Sequence, residues 1–337
     1  MDSWLPWIKF AACTGLIGYA GVRLSRYGDI IAEKSGLGAS VVGLLLLATV
    51  TSLPELITGI GAVALADVPD IAVGNLLGAC LMNLAMIVVL DLLHRGQSLY
   101  TKAGQGHILS AAFGLVILGF IALNMVFSGY GATFALGHVG LYSPVVLLMY
   151  VGAVNVVFRY ERRQRAEYVQ ERAERYPGVT LRDALLRYAA AAAVVVVAAL
   201  YLPFAAEELA KRMQWNESFV GTLFVSLATT LPELTVTLGA LRIGAVDLAV
   251  GNLLGSNLFN LAILAVDDLF YAPAPLLSAV STIHLVSALS ALLMTGLVIA
   301  GLLYRPPEKL FGTVGWISIL MVWIFGTNVV FLYFFGG

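Results

Sequence analysis

Apolar stretches of about twenty residues, the length a helix needs to cross hydrocarbon, recur along the whole chain between short polar connections. They predict ten spans: 5–24, 38–66, 70–93, 107–127, 139–158, 184–204, 218–240, 246–270, 280–304 and 312–335. The second is long enough to be tilted or broken. One polar segment is substantial. Residues 159–183 mix both charge signs with helix formers, end near Pro177-Gly178, and read as a solvated cytoplasmic helix and linker. The linker separates a first five-helix unit, 1–158, from a second, 184–337.

Composition places these helices in a membrane. The chain has 337 residues, 60% hydrophobic and 12% charged, where a soluble domain carries about 25% charged residues. The predicted class is an all-α, multi-pass integral membrane protein. A net charge of −1 gives no reason to expect nucleic acid as a partner. Cys13 and Cys80 both fall in apolar segments, so no disulfide framework is expected. The N-terminus lacks a basic region, short apolar core and small-residue cleavage site in that order, so the first span reads as a retained helix.

The basic residues test the span count. With ten spans and an external N-terminus, all of the 19 Lys and Arg except Lys9, Lys211 and Arg212 fall on inside connections. Such a bias follows the positive-inside rule. Both termini are therefore expected outside the cytoplasm, in a plasma or inner membrane.

Two segments say nearly the same thing half a sequence apart. Thr51-Ser52-Leu53-Pro54-Glu55 is followed by Asp70, Gly74-Asn75-Leu76-Leu77-Gly78 and Asn83. Thr229-Thr230-Leu231-Pro232-Glu233 is followed by Asp247, Gly251-Asn252-Leu253-Leu254-Gly255 and Asn260. The glutamates are 178 residues apart and the asparagines 177. Five spans separate equivalent positions, and an odd number means that the repeats enter the bilayer from opposite sides. The fold expected is two inverted five-helix repeats with helices broken at a central ion site. Inversion supplies one gate per side, as a carrier requires.

The motif chemistry suits a hard cation. A carboxylate in hydrocarbon costs about 3 kcal/mol even on lenient insertion scales, so a duplicated pair points to a site. Proline removes an N–H and clashes one turn back, so Pro54 and Pro232 should kink their helices and free backbone carbonyls near Thr51 and Thr229. Irregular backbone at membrane depth is tolerated where it lines a cavity or is buried. The hydroxyls of Thr51, Ser52, Thr229 and Thr230, the carboxylates of Glu55 and Glu233, and the amides of Asn83 and Asn260 make an all-oxygen set. Such a set selects Ca²⁺, Na⁺ or Mg²⁺ over zinc or copper. The paired glycines lie at i and i+4 on one helix face, where they permit close helix approach. Asp70 and Asp247 read as helix caps. Asp91 and Asp268, each eight residues past a motif asparagine, read as helix-end residues near opposite faces or, more sharply, as access-path acids, one per side.

These residues resemble the α-repeats of the cation/Ca²⁺ exchanger superfamily, whose sodium/calcium exchangers carry Gly-Thr-Ser-Leu-Pro-Glu followed by Gly-Asn-x-x-Gly-Ser-Asn-x-x-Asn/Asp. The resemblance covers 48–84 and 225–261, and the ten-helix layout extends it along the chain. It implies alternating access, with the first and sixth helices sliding over a core of eight. It also implies a ligand set of Thr51, Ser52, Glu55, Asn83, Thr229, Thr230, Glu233, Ser256 and Asn260, with backbone carbonyls from Ala48 and Val225. Departures narrow the expectation. Val50 and Ala228 replace signature glycines, Ala79 removes a hydroxyl, and Asn260 stands where several relatives carry Asp. Two central carboxylates match one Ca²⁺, two Na⁺ or two protons.

The function expected is therefore a secondary antiporter exchanging Ca²⁺ for Na⁺, with inorganic cations and the lipid bilayer as its only implied partners. It is not an enzyme and needs no cofactor. The alternative is an H⁺/Ca²⁺ antiporter, or one for another cation, using protonatable Glu55 and Glu233, because a carboxyl in apolar surroundings can itself take up the proton. A cation channel ranks lower, since two opposed gates argue against it. An intramembrane hydrolase is disfavoured, because no nucleophile–base pair is evident and His94, His107, His138 and His284 look scattered.

Overall fold

A computed structural model describes residues 4–94, 97–167, 175–213, 229–306, 309 and 314–335. Helices dominate it: α1 (Leu5–Ser35), α2 (Ala39–Thr51), α3 (Leu53–Ala64), α4 (Pro69–Leu93), α5 (Leu99–Lys102), α6 (Gly106–Gly129) and α7 (Tyr142–Glu167). They continue with α8 (Leu181–Met213), α9 (Leu231–Arg242), α10 (Val246–Phe270), α11 (Leu276–Ala279), α12 (His284–Tyr304) and α13 (Trp316–Phe335). A short ribbon departs from the all-helical expectation. Strands β1 (Ala135–Leu136) and β2 (Val139–Gly140) pair antiparallel across a turn containing Gly137, whose φ is 65°.

Among the described residues eight helices are long and apolar enough to cross a membrane, and the pair α2–α3, bent by 43°, makes nine if it is counted as one span. The bend realises the break expected in 38–66. For the predicted span 218–240 only α9 is described, and residues 214–228 lie outside the described residues. The polar pattern underestimates two helices. α1 and α8 run well past 24 and 204, because their last turns carry charges that a hydrocarbon ruler excludes.

Burial grades from the middle outwards. The sequence of α10 is almost wholly buried, whereas α13 and α7 expose most of their apolar surface, as lipid-facing helices do. α10 packs on α4, α2, α3, α6, α7 and α9, and α1 packs most extensively on α8 and then α9. Gly251 and Gly255 let α2 cross α10 closely. A Cβ at Gly251 would lie 2.7 Å from the Ser40 carbonyl, and one at Gly255 would lie 2.5 Å from that of Leu44. This is the close approach expected of the glycine pairs. In the first repeat, the residues that the offset places opposite Gly78 fall within 214–228, outside the described residues.

Buried acids tie distant helices together with the same spacing twice. Asp91 accepts from Leu99 N (2.8 Å) and Ser98 Oγ (3.1 Å) on one oxygen, and from Gly315 N (3.2 Å) and Ser318 Oγ (2.9 Å) on the other. Asp268 accepts from Leu276 N (2.7 Å) and the Tyr142 hydroxyl (2.5 Å), then from Gly140 N (2.9 Å) and Ser143 Oγ (2.5 Å). Both acids are fully buried. They are helix-end staples, each joining its own repeat to a helix start of the other. The sharper access-path role has no support from this geometry.

Asp70 and Asp247 show the same exchange nearer the surface. Asp70 accepts from Ser281 N (2.7 Å) and lies 2.9 Å from His284 Nε2, while Asp247 accepts from Gly104 N (2.6 Å) and lies 3.1 Å from His107 Nε2. They reach helix approaches in the opposite half, while the N-caps of their own helices are Val68 and Ala245, without a side-chain cap bond. His107 and His284 are thus counterparts 177 residues apart, not scattered ones. In the linker, Tyr176 donates to Asp29 Oδ2 (2.7 Å), Arg175 pairs with the same oxygen (3.3 Å), and both their amides donate to Glu33 of α1.

Candidate ion-binding centre

Two half-helices begin deep inside the molecule. α3 starts after Ser52 (φ −96°, ψ 7°) and α9 after Thr230 (φ −87°, ψ 0°), matching breaks in the sparsely allowed bridge region. Pro54 and Pro232 do not lie at the kinks themselves, as the sequence suggested. They sit in the first turn of the restarted helix, where a missing N–H leaves nothing unpaired. In helical register the carbonyl that Pro54 leaves unserved is that of Val50. The Ala48 carbonyl, implied as a ligand by the resemblance, already accepts from Ser52 N (3.0 Å) and Thr51 Oγ1 (3.3 Å). Val225 lies outside the described residues.

Glu55 and Glu233 occupy the first turns of these half-helices, where the helix dipole favours negative charge. Each is 1% exposed. Ser52, the N-cap of the helix that carries Glu55, is also in hydrogen-bond contact with Glu233, so the two carboxyls share one neighbourhood. The Ser52 hydroxyl donates to Glu233 Oε1 (3.2 Å), and the hydroxyls of Thr51 and Ser256 lie 3.3 Å apart. Thr229 and Thr230 are also buried. Asn83 donates from its amide to Asn257 Oδ1 (3.0 Å).

Polar atoms without partners concentrate here. Among the described residues neither oxygen of Glu55, nor Glu233 Oε2, Asn83 Oδ1 or either polar atom of Asn260, has a hydrogen-bond partner. Buried polar groups are normally satisfied, and each exception calls for an explanation. A desolvated cation supplies one, because every orphan except the Asn260 amide nitrogen is an oxygen acceptor. Among the described residues no three His, Cys, Asp or Glu gather as a metal cluster; the centre offers two carboxylates and neutral oxygens.

All nine side chains expected as ligands are buried, and hydrogen bonds join the two repeats directly at Thr51–Ser256 and Ser52–Glu233. Sequence reasoning missed Asn257. Its amide donates to the Cys80 carbonyl (3.4 Å), its own counterpart 177 residues away, so the two repeats meet at this pair.

Comparison with known proteins decides the family. The family described as "Sodium/calcium exchanger protein" matches residues 5–158 and 184–334. The chain belongs to the sodium/calcium exchanger family. The match falls in two blocks that flank the charged linker. "Inner membrane protein YrbG" of Escherichia coli is 27% identical over 249 residues, 74% of each chain. "Sodium/calcium exchanger MaX1" of Methanosarcina acetivorans is 26% identical over 284 residues, covering 73% of this chain and 77% of its own. A solved structure of the sodium-calcium exchanger NCX_Mj superposes with a TM-score of 0.74 at 20% identity, covering 97% and 99% of the two chains. This exchanger-family chain therefore has the fold of that structure and is a multi-pass membrane protein.

Proposed function

We propose that this chain is a secondary antiporter that exchanges Ca²⁺ for Na⁺ by alternating access through the centre between Glu55 and Glu233. The observation that carries the reading is the pair of buried carboxyls with three of four oxygens unpartnered, ringed by hydroxyl and amide oxygens from both repeats. A combined charge of −2 balances one Ca²⁺ or two Na⁺, so each substrate neutralises the site that the other vacates. Ligands are Thr51, Ser52, Glu55, Asn83, Thr229, Thr230, Glu233, Ser256 and Asn260.

The architecture in this reading is ten spans in two inverted repeats, 1–158 and 184–337, with 159–183 cytoplasmic and both termini external. Hydrogen bonds of Asp91 and Asp268, and of Asp70 and Asp247, recur in both halves at offsets of 175 to 177 residues and support it. The moving part is α1 with α8, which pack mainly on each other. The protein catalyses no covalent chemistry. The same unpartnered carboxyl oxygens favour, as second reading, proton exchange in place of Na⁺.

The test is Ca²⁺ uptake into Na⁺-loaded proteoliposomes. Glu55→Gln or Glu233→Gln abolishes uptake while the protein still inserts and elutes as a single species. Undiminished flux in the double variant would overturn the central site. Uptake driven by a pH gradient with no Na⁺ present would replace the counter-ion.

A further inference from the structure

Among the described residues one buried acid is used by neither the centre, the staples nor the linker contact. Asp267 precedes the Asp268 staple on α10, is fully buried, and has no hydrogen-bond partner for either carboxylate oxygen among the described residues. It faces α3 at Gly59, where any Cβ would fall on the carboxylate oxygens. Gly59 therefore leaves the space that this carboxylate faces. Buried charge without a partner is among the costliest arrangements in a protein, and nothing else among the described residues uses it.

Its position gives it a direction. Gly59 is four residues beyond Glu55 on α3, about 6 Å along the axis. Tyr271 caps the end of α10, its N–H donating to the Asp267 carbonyl (2.9 Å), and Asp67 lies in the exposed turn after α3. Glu55, Asp267 and Asp67 thus mark successive levels along the α3–α10 contact, from the centre to one face. The other repeat lacks this feature. Leu90 and Thr237 occupy the counterpart positions, Leu90 is buried, and Thr237 Oγ1 accepts from the Asn252 amide (3.1 Å).

We propose that Asp267 is a second cation-binding station, holding a hard cation between the Asp67 face and Glu55. The proposal rests on the exchanger reading, since it needs cations to reach Glu55. It supplies the third negative charge that Asn260 does not, on one side only. The station is loaded from the Asp67 face and passes its ion one turn inward.

The test uses the full chain in proteoliposomes of sorted orientation, with Ca²⁺ and Na⁺ titrated separately from each face. Asp267→Asn raises KM about a hundredfold at the Asp67 face, the effect on a monovalent cation of one charge about one helical turn away at an effective dielectric near 20. It leaves kcat and the opposite-face KM nearly unchanged, and Asp267→Glu restores the lost affinity. Whichever cation shows the shift is the station's ligand. Gly59→Ala, which fills the space and keeps the charge, reproduces the one-sided shift. Thermal stability of Asp267→Asn equals or exceeds wild type, because an uncompensated buried carboxylate is gone. An unchanged KM, an equal change at both faces, or a less stable Asp267→Asn protein would each overturn the station. Failure of the exchanger reading looks different: wild type itself shows no Glu55-dependent exchange.

Discussion

Asp268→Asn isolates what the staples do. Each oxygen of Asp268 receives one backbone N–H and one hydroxyl: Leu276 N with Tyr142, and Gly140 N with Ser143. Hydroxyls can turn and accept from an amide, but backbone N–H groups cannot. Whichever way the substituted amide is oriented, its NH₂ confronts either Gly140 N or Leu276 N. One buried N–H left unsatisfied costs about 1–3 kcal/mol, and the remaining bonds lose their charge assistance. The expected destabilisation is therefore about 2–4 kcal/mol, and Asp268→Ala, which strands all four donors, should exceed it. Asp91→Asn should behave alike, since Leu99 N and Gly315 N divide between its two oxygens. The assay is thermal unfolding in detergent, paired with exchange measured at low temperature. A lower Tm with exchange retained is expected. An unchanged Tm would refute the staple, and lost exchange at unchanged Tm would make Asp268 an access-path acid after all.

Gly255→Ala places a methyl against the Leu44 backbone, which cannot step aside without moving α2. It should cost roughly 1–3 kcal/mol by overpacking, seen as a lower Tm and impaired exchange, and a wild-type Tm would deny the close crossing. Tyr176→Phe removes the hydroxyl bond to Asp29, so a fluorophore on Gly178→Cys should report a looser linker while Ca²⁺ exchange persists. Burial, then the bond to Asp29, pushes the Tyr176 hydroxyl up to about 12. A raised value means that the linker's docking is intact below about pH 10, the ordinary tyrosine value, and is lost as pH rises towards 12. That alkaline step should vanish in Tyr176→Phe, and its persistence would assign it elsewhere.

Much of the centre was legible because duplication marks it. Glu55 and Glu233, each beside a proline in apolar sequence, are improbable once and more so twice, and their buried neighbours recur with them, Thr51 and Ser52 at an offset of 178 and Asn83 at 177. The staples were legible only as positions. Their partners, Ser318 for Asp91 and Ser143 for Asp268, lie 227 and 125 residues away, and hydroxyls carry no pattern of their own. His107 and His284 did carry a signal, the 177-residue offset, which is visible only when the repeat is applied to every polar residue. Asp267 has no counterpart to mark it, since position 90 is leucine. Its meaning comes from facing a glycine on another helix.

The cross-ties also separate what can move from what cannot. Asp91, Asp268, Asp70 and Asp247 join α4 and α10 to the starts of α6, α7, α12 and α13, and each tie crosses between repeats. Every one of these bonds would have to break for those helices to shift, so they form a frame around the centre. α1 is held differently. Its polar contacts include Lys9 with Glu208 on α8, the Ser25 hydroxyl with the Val236 carbonyl on α9, and Asp29 and Glu33 with the linker. Against the frame itself α1 offers mainly apolar packing, which has no fixed register and permits sliding. In the proposed exchange cycle, α1 and α8 therefore move together over a braced core, and the linker at Tyr176 travels with them. Cross-linking α1 to α8 should leave exchange intact, whereas cross-linking α1 to α10 should arrest it.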